Sequence, residues 1–193
     1  PARPNERIGV FHVHTTASDG GGSIAEVARA AADAGADFVV VSDHNVVAAT
    51  TKSEGASSDI PATVIIGEEV GVFAGHVVVL GAQGQWREAG EKADSVVFGA
   101  AHKAGGFSVV AHPFGTKRIW RNWEVSPIGG VEIWNADAEW RNDSALELVR
   151  AALGYFSNST AALLSLLDRP QEGLALWSKL MTRGSVVGLC AVD

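Results

Sequence analysis

Six histidines are spread over 193 residues, and five of them stand next to acidic residues or at the ends of apolar runs. His12 and His14 form a His-x-His pair. On an extended strand the two-residue period sends both imidazoles to one side, close enough to chelate one ion. Asp19 follows on a glycine turn, Asp43-His44 closes a second apolar run, and Glu68-Glu69 closes a third. His76 opens a run of its own, Ala111-His112-Pro113 closes another, and Asp193 closes the last. Each piece has a bland reading: a hydrogen-bonded core histidine, a turn, a solvated strand end. All of those readings would have to hold together in one chain, so the joint reading is metal ligation. Imidazole with carboxylate suits Zn, Mn or Fe, and the sequence does not choose among them. His102, beside Lys103 in a helical stretch, reads as a surface residue.

The elements that must position these groups alternate between β-rich runs and Ala-rich helical stretches. Strands are expected at Ile8–Val13, Asp37–Val41, Thr63–Glu69, His76–Gly81, Phe107–Ala111, Gly130–Trp134 and Val186–Val192. The runs are nearly continuous in apolar residues, which suits parallel strands buried on both faces. Ser23-Ile-Ala-Glu26 reads as a capping box, Gly35 is placed to end the helix, and Ile24, Val27, Ala28 and Ala31 form its sheet-facing stripe. Further helices are expected at Glu91–Ala104, Ser144–Gly154, Thr160–Leu167 and Gln171–Arg183, with loops at Thr50–Asp59 and Gly115–Pro127. Repeated βα alternation in one chain favours a barrel or an open doubly wound sheet, and polar ligands at the carboxyl ends of its strands favour one shared site.

The totals bound the partners. The chain is 47% apolar and 19% charged, enough for one sizeable core, so a single domain spanning 1–193 is expected. Fifteen basic against twenty-two acidic side chains give a net charge of −7, which speaks against long nucleic acid as a partner. No apolar run reaches the ~18–20 residues of a membrane span, so no membrane partner is expected. Cys190 lies in an apolar stretch that reads as a buried strand, and with no second cysteine it forms no internal disulfide. Compartment and oligomeric state are not indicated.

The motifs His12-Val-His14-Thr-Thr-Ala-Ser-Asp19-Gly20, Val41-Ser-Asp43-His44-Asn45, Gly67-Glu-Glu69, Gly75-His76-Val-Val-Val-Leu-Gly81 and Ala111-His112-Pro113 occur in one order. In that order the chain resembles the PHP (polymerase and histidinol phosphatase) metal-dependent hydrolases. Val131-Glu-Ile-Trp-Asn135 looks like a branch of that family that includes carbamate-ester hydrolases. The resemblance implies a distorted (β/α)7, TIM-like barrel with two or three divalent ions at the carboxyl ends of the strands. It implies a first metal on His12, His14, Glu69 and Asp193, and a second, bridged by Glu69, on His76 and His112. A third would use Asp19 and His44. Glu69 is chosen over Glu68 because the family motif places its acid two residues after the glycine, and neighbours on a strand face opposite ways. Asp43 is cast as a carboxylate that orients a ligating imidazole, and is counted with Glu69 as catalytic. The family's last motif is Asp-x-His, whereas this chain stops at Asp193. A C-terminal segment with the third-site histidine is therefore expected to be missing.

The chemistry implied is a metal-activated hydroxide attacking a phosphomonoester or a short phosphodiester. Lys117 and Arg118, with Arg121 nearby, are candidates to bind the phosphate. Trp120 and Trp123 beside them are expected to divide their roles, one packing the loop and one lining the pocket. A carboxyl or carbamate ester is the alternative substrate, motivated by the Glu-Ile-Trp-Asn stretch and the tryptophans. A non-catalytic, metal-stabilised scaffold is a further alternative.

Overall fold

The computed structural model describes residues 6–48, 62–82, 93–115 and 118–193. Thirteen elements follow in order: β1 (Gly9–Val13), α1 (Ile24–Asp33), β2 (Phe38–Val41), β3 (Thr63–Val72), β4 (Gly75–Leu80), α2 (Asp94–Lys103), β5 (Phe107–Val110), β6 (Gly130–Asn135), α3 (Ala136–Asn142), α4 (Ala145–Tyr155), α5 (Ser159–Leu164), α6 (Gln171–Met181) and β7 (Val187–Ala191). The seven strands lie side by side in sequence order. Just past β7, Val192 N and Asp193 N donate to Phe11 O and His12 O at 3.0 and 2.8 Å, so the last strand curls back onto the first. The result is a nearly closed, distorted α/β barrel. The loop expected at Thr50–Asp59 falls outside the described residues.

Strand direction departs from the all-parallel expectation. β1, β2 and β3 run parallel, as do β5, β6 and β7, but β4 is antiparallel to both its neighbours. Only Phe73 and Ala74 separate β3 from β4, which is enough for a hairpin and far short of a parallel crossover. β3 consequently runs on to Val72, three residues past its expected end. Reversal of β4 also puts His76, near the start of that strand, at the end of the barrel where the other strands finish.

Burial explains the apolar runs. Phe11, Val40, Val78, Val109, Ala111 and Ala191 meet inside the barrel. The alternate residue Val39 faces outward onto Ala31 of α1. On the far side, α2 and α6 cover Val77, Val79, Val110 and Val131 with Phe98 and Leu180. A valine buried in this way contributes about 1.5–3 kcal/mol, which lets strands of four or five residues hold. The α1 capping box forms as expected, Ile24, Ala28 and Ala31 are buried, and Gly35 takes φ 83° just past the helix. The helix expected at Glu91–Ala104 is described from Asp94.

Helix α3 is not among the expected helices. Its start is marked by Asn135, whose side chain accepts from Ala138 N at 3.0 Å, and by acidic residues in the first turn. Cys190 departs from the buried-strand expectation and is exposed, on a strand whose outer face α6 meets at Gly188 through Trp177. Among the described residues no helix is long and apolar enough to cross a membrane.

Candidate metal centre

At the end of β1 the chain does not stay extended. The register with β2 slips between Val10 and Val13, and His12 takes φ 64°. His12 and His14 do converge, with rings 5.0 Å apart, but through this bulge rather than through strand pleating. Asn45, His112 and Asp193 take φ of 50°, 27° and 48°, and among the described residues these four are the non-glycines with positive φ. All four lie at strand ends around one mouth, a placement typical of strain held at a functional site.

Glu69 stands at the centre, fully buried. A bridge between β2 and β3 pairs it with His44, so both side chains project from neighbouring positions on one face. Its Oε2 lies 3.3 Å from Nε2 of His12, 3.3 Å from Nε2 of His14 and 2.8 Å from Nδ1 of His44. Its Oε1 lies 2.8 Å from Nδ1 of His76 and 3.0 Å from Nε2 of His112. One carboxylate thus divides five imidazoles into two sets. Asp193 Oδ1 joins the first set, 3.0 Å from His14 Nε2 and 3.6 Å from His12 Nε2. Asp19 lies 3.6 Å from both His14 Nδ1 and His44 Nε2, through its two oxygens.

These spacings fit ions. Donors held at ~2.0–2.2 Å from one metal stand roughly 3.0–3.6 Å from each other. His12 and His14 each stand 3.0–3.6 Å from the Glu69 and Asp193 oxygens, and the donors of this group, of His14–Asp19–His44 and of His44–Glu69–His76 lie within 4.8 Å of one another. Two fully buried atoms, His12 Nε2 and Glu69 Oε2, have no hydrogen-bond partner although they face each other. Leaving such atoms unsatisfied costs about 1–3 kcal/mol each, a cost that a shared cation would remove.

Electrostatics agree. Burial opposes charge on His12, yet the Glu132 and Glu69 carboxylates beside it hold its imidazole well above the usual range. Burial also opposes charge on His14, but its hydrogen bond to Asp193 and the Glu69 carboxylate beside it raise it to about 9. Burial would push Glu69 up, and the imidazoles around it instead hold it well below the usual carboxylate range. The pocket is built to carry positive charge, as protons or as metal.

Asp43 touches no imidazole directly but reaches His14 through Ser18, whose Oγ lies 3.3 Å from His14 Nδ1. Its carboxylate accepts from Thr15 N at 2.7 Å, Thr15 Oγ1 at 2.8 Å and Ser18 Oγ at 2.6 Å, so it pins the loop that carries His14 and Asp19. Gly20 completes that loop: a Cβ there would stand 2.2 Å from His14 O.

A carboxylate in direct contact with a site imidazole is Glu132, which is not among the expected site residues. His12 Nδ1–H donates to Glu132 Oε1 at 2.6 Å, and Glu132 Oε2 accepts from His112 N at 2.6 Å and Asn135 Nδ2 at 2.9 Å. An acid in the middle of the apolar strand Gly130–Asn135 was the available signal.

Above the ligands lies a cleft of about 180 Å³ lined by His44, His76, His112, Arg118, Asn135 and Arg141, among others. Arg118 therefore does face the candidate site, and Lys117 falls outside the described residues. Arg141, on the unexpected α3, joins it there and is steadied by Asp137 and by the Trp140 ring. Arg121 is not among the lining residues. Neither tryptophan lines this cleft: Trp120 is buried against Phe98, and Trp123 packs on Trp120 and faces a separate cleft with Leu180 and Val186. His102 is exposed in the last turn of α2.

No protein-family model and no curated protein matches the chain. Solved structures do. A protein from Bifidobacterium adolescentis, assigned by inference as a metal-dependent phosphoesterase, superposes with a TM-score of 0.60 at 13% identity, over 96% of this chain and 87% of that one. A two-domain protein from Bacteroides vulgatus, with a domain inferred to be a PHP-like metal-dependent phosphoesterase, gives a TM-score of 0.51 at 19% identity, over 68% of this chain and 47% of that one. An amidohydrolase from Chromobacterium violaceum, with bound sulfate and no metal, gives 0.55 at 14% identity, over 76% and 84%. At these identities the likeness is one of fold, and that fold is the distorted barrel described above.

Proposed function

We propose that the chain is a PHP-type metal-dependent hydrolase that cleaves a phosphomonoester or a short phosphodiester. The observation that carries this reading is the position of Glu69, whose two oxygens face separate sets of imidazoles while His12 Nε2 and Glu69 Oε2 lie buried without hydrogen bonds. His12, His14, Glu69 and Asp193 would hold one divalent ion, and Glu69 with His76 and His112 a second. Asp19 and His44, with His14 near both, would hold a third. Bound there, divalent ions supply a water acidified toward neutrality and a polarised phosphoryl oxygen.

The chain's own groups do the remaining work. Glu132 fixes His12 with Nδ1 protonated, which leaves Nε2 free to ligate. Asp43 keeps His14 and Asp19 in register by holding Thr15 and Ser18. Arg118 and Arg141 sit at the cleft wall, where guanidinium groups would bind phosphate oxygens. Their presence favours an anionic substrate over a neutral carboxyl or carbamate ester. With Trp120 and Trp123 turned away from the cleft, the ester reading loses much of its motive. The sulfate bound by the Chromobacterium neighbour is in keeping with a phosphate-shaped ligand. A purely structural role for the metals sits poorly with a ligand-lined cleft open to solvent.

Aryl phosphate and aryl carboxylate esters, assayed side by side with the Mn- or Zn-loaded protein, test the reading. Turnover of the phosphate, lost in Glu69→Ala and on chelation, is expected. Turnover of the carboxylate ester alone would replace it, and inertness toward both would favour the scaffold.

A further inference from the structure

The α4–α5 hairpin exposes an apolar stripe that the barrel does not use. Along α4 and its C-cap, Leu146, Val149, Leu153 and Phe156 are 58%, 54%, 71% and 91% exposed. They recur at intervals of three, four and three residues, the spacing of a coiled-coil seam. α4 meets its own neighbour with a different side, where Leu148, Ala151 and Ala152 face Ala162 and Leu163 of α5 across an apolar groove. Tyr155 and Phe156 connect stripe and groove into one surface. Contiguous apolar patches of this size are uncommon on monomers and mark contact sites.

We propose that this surface pairs with a second copy of the chain, α4 lying antiparallel to its counterpart about a two-fold axis level with Ala151. Positions 146 and 156 are equidistant from 151, as are 149 and 153, so Leu146 meets Phe156 of the second copy and Val149 meets Leu153. The stripe is thereby complementary to itself, as a two-fold interface requires. The exposed parts of the stripe, Tyr155 and the leucines of the α5 end amount to roughly 800 Å², the share each partner gives to a standard-size interface. Glu147 and Arg150 supply a polar rim, with the acid lowered by its hydrogen bonds at the Ser144 cap and, less, by the neighbouring base. One acid and one base leave α4 without net charge, so it lacks the cationic face that an interfacial membrane helix carries.

Sedimentation of the full chain across the micromolar range tests this. The expected species is a dimer of 20.1 kDa subunits. Leu153→Glu, and separately Leu146→Lys, should weaken dimerisation by at least about tenfold with an unchanged circular dichroism spectrum, since both positions are solvent-facing in the single chain. A wild-type monomer at about 100 µM would overturn the proposal. So would a dimer indifferent to both substitutions, or a monomer that binds lipid vesicles through the same two leucines.

Discussion

Nδ1 of His12 lies 2.6 Å from Oε1 of Glu132, with both side chains fully buried. Two strands that neither touch in the sheet nor follow each other in sequence are joined by this one hydrogen bond, and the opposite ring nitrogen is left facing Glu69. The arrangement fixes which nitrogen of His12 ligates and at what angle. Glu132→Gln keeps the size of the side chain but leaves one acceptor oxygen for three donors, so its NH2 is set either against His112 N–H and the Asn135 amide or against His12 Nδ1, where it forces the proton onto Nε2. Metal affinity, measured by competition with a chromophoric chelator, is expected to fall about 10–100-fold. An unchanged affinity would mean that Glu132 serves packing alone.

Asp43 answers to a different readout. It holds Thr15 and Ser18, and His14 through Ser18, so Asp43→Ala unties the loop and strands buried donors. Loss of about 1–3 kcal/mol from the unfolding free energy in urea is expected, even with metal absent. A variant as stable as the parent in chelator would return Asp43 to a purely catalytic role.

The pH dependence has a definite sign. His14 is raised from 6.5 to about 9, so its contribution to stability is complete below about 6.5 and fades as pH climbs through 9. Glu69 is held well below its ordinary 4.5, so its contribution is present above that value and fades at more acid pH. The chelated protein should therefore have its highest Tm between these limits and lose Tm toward pH 9. Metal binding follows the opposite course and strengthens with rising pH, because imidazoles must shed protons to ligate. Calorimetric scans in chelator that are flat from neutrality to pH 9 would contradict the charge assignment. His14→Ala should reduce the alkaline slope.

Arg141 bears on substrate choice. Its Nε is engaged by Asp137, which fixes the guanidinium plane at the cleft wall. Arg141→Lys keeps the charge and loses the fork, so KM for an aryl phosphate should rise several-fold with kcat little changed. A lowered kcat at constant KM would place Arg141 with the reacting atoms instead.

Much of this was legible in the residues. The seven apolar runs became the seven strands within a few residues, and His12, His14, Asp19, His44, Glu69, His76, His112 and Asp193 do meet at one mouth. What stayed hidden was backbone direction and detail. An apolar run such as His76–Leu80 reads the same in either direction, and only the two-residue link before it betrays the reversal of β4. The His-x-His pair pointed to convergence by strand pleating, whereas a bulge with His12 at positive φ produces it; nothing local in Phe-His-Val-His announces that. Glu132 was readable as an acid in an apolar strand, but its partner lies 120 positions away, a distance that local pattern does not span. Helix α3 was missed because seven residues give too few turns for a periodic signal.

The central claim is that cations gathered around Glu69 carry out phosphate-ester hydrolysis. Its most direct test is the release of the aryl alcohol from an aryl phosphate as Mn or Zn is returned stepwise to fully chelated protein. No release at the start, and a rise that levels off at two or three ions per chain, is the expected result. Full turnover before any ion is added, or none after the sites are saturated, would contradict it.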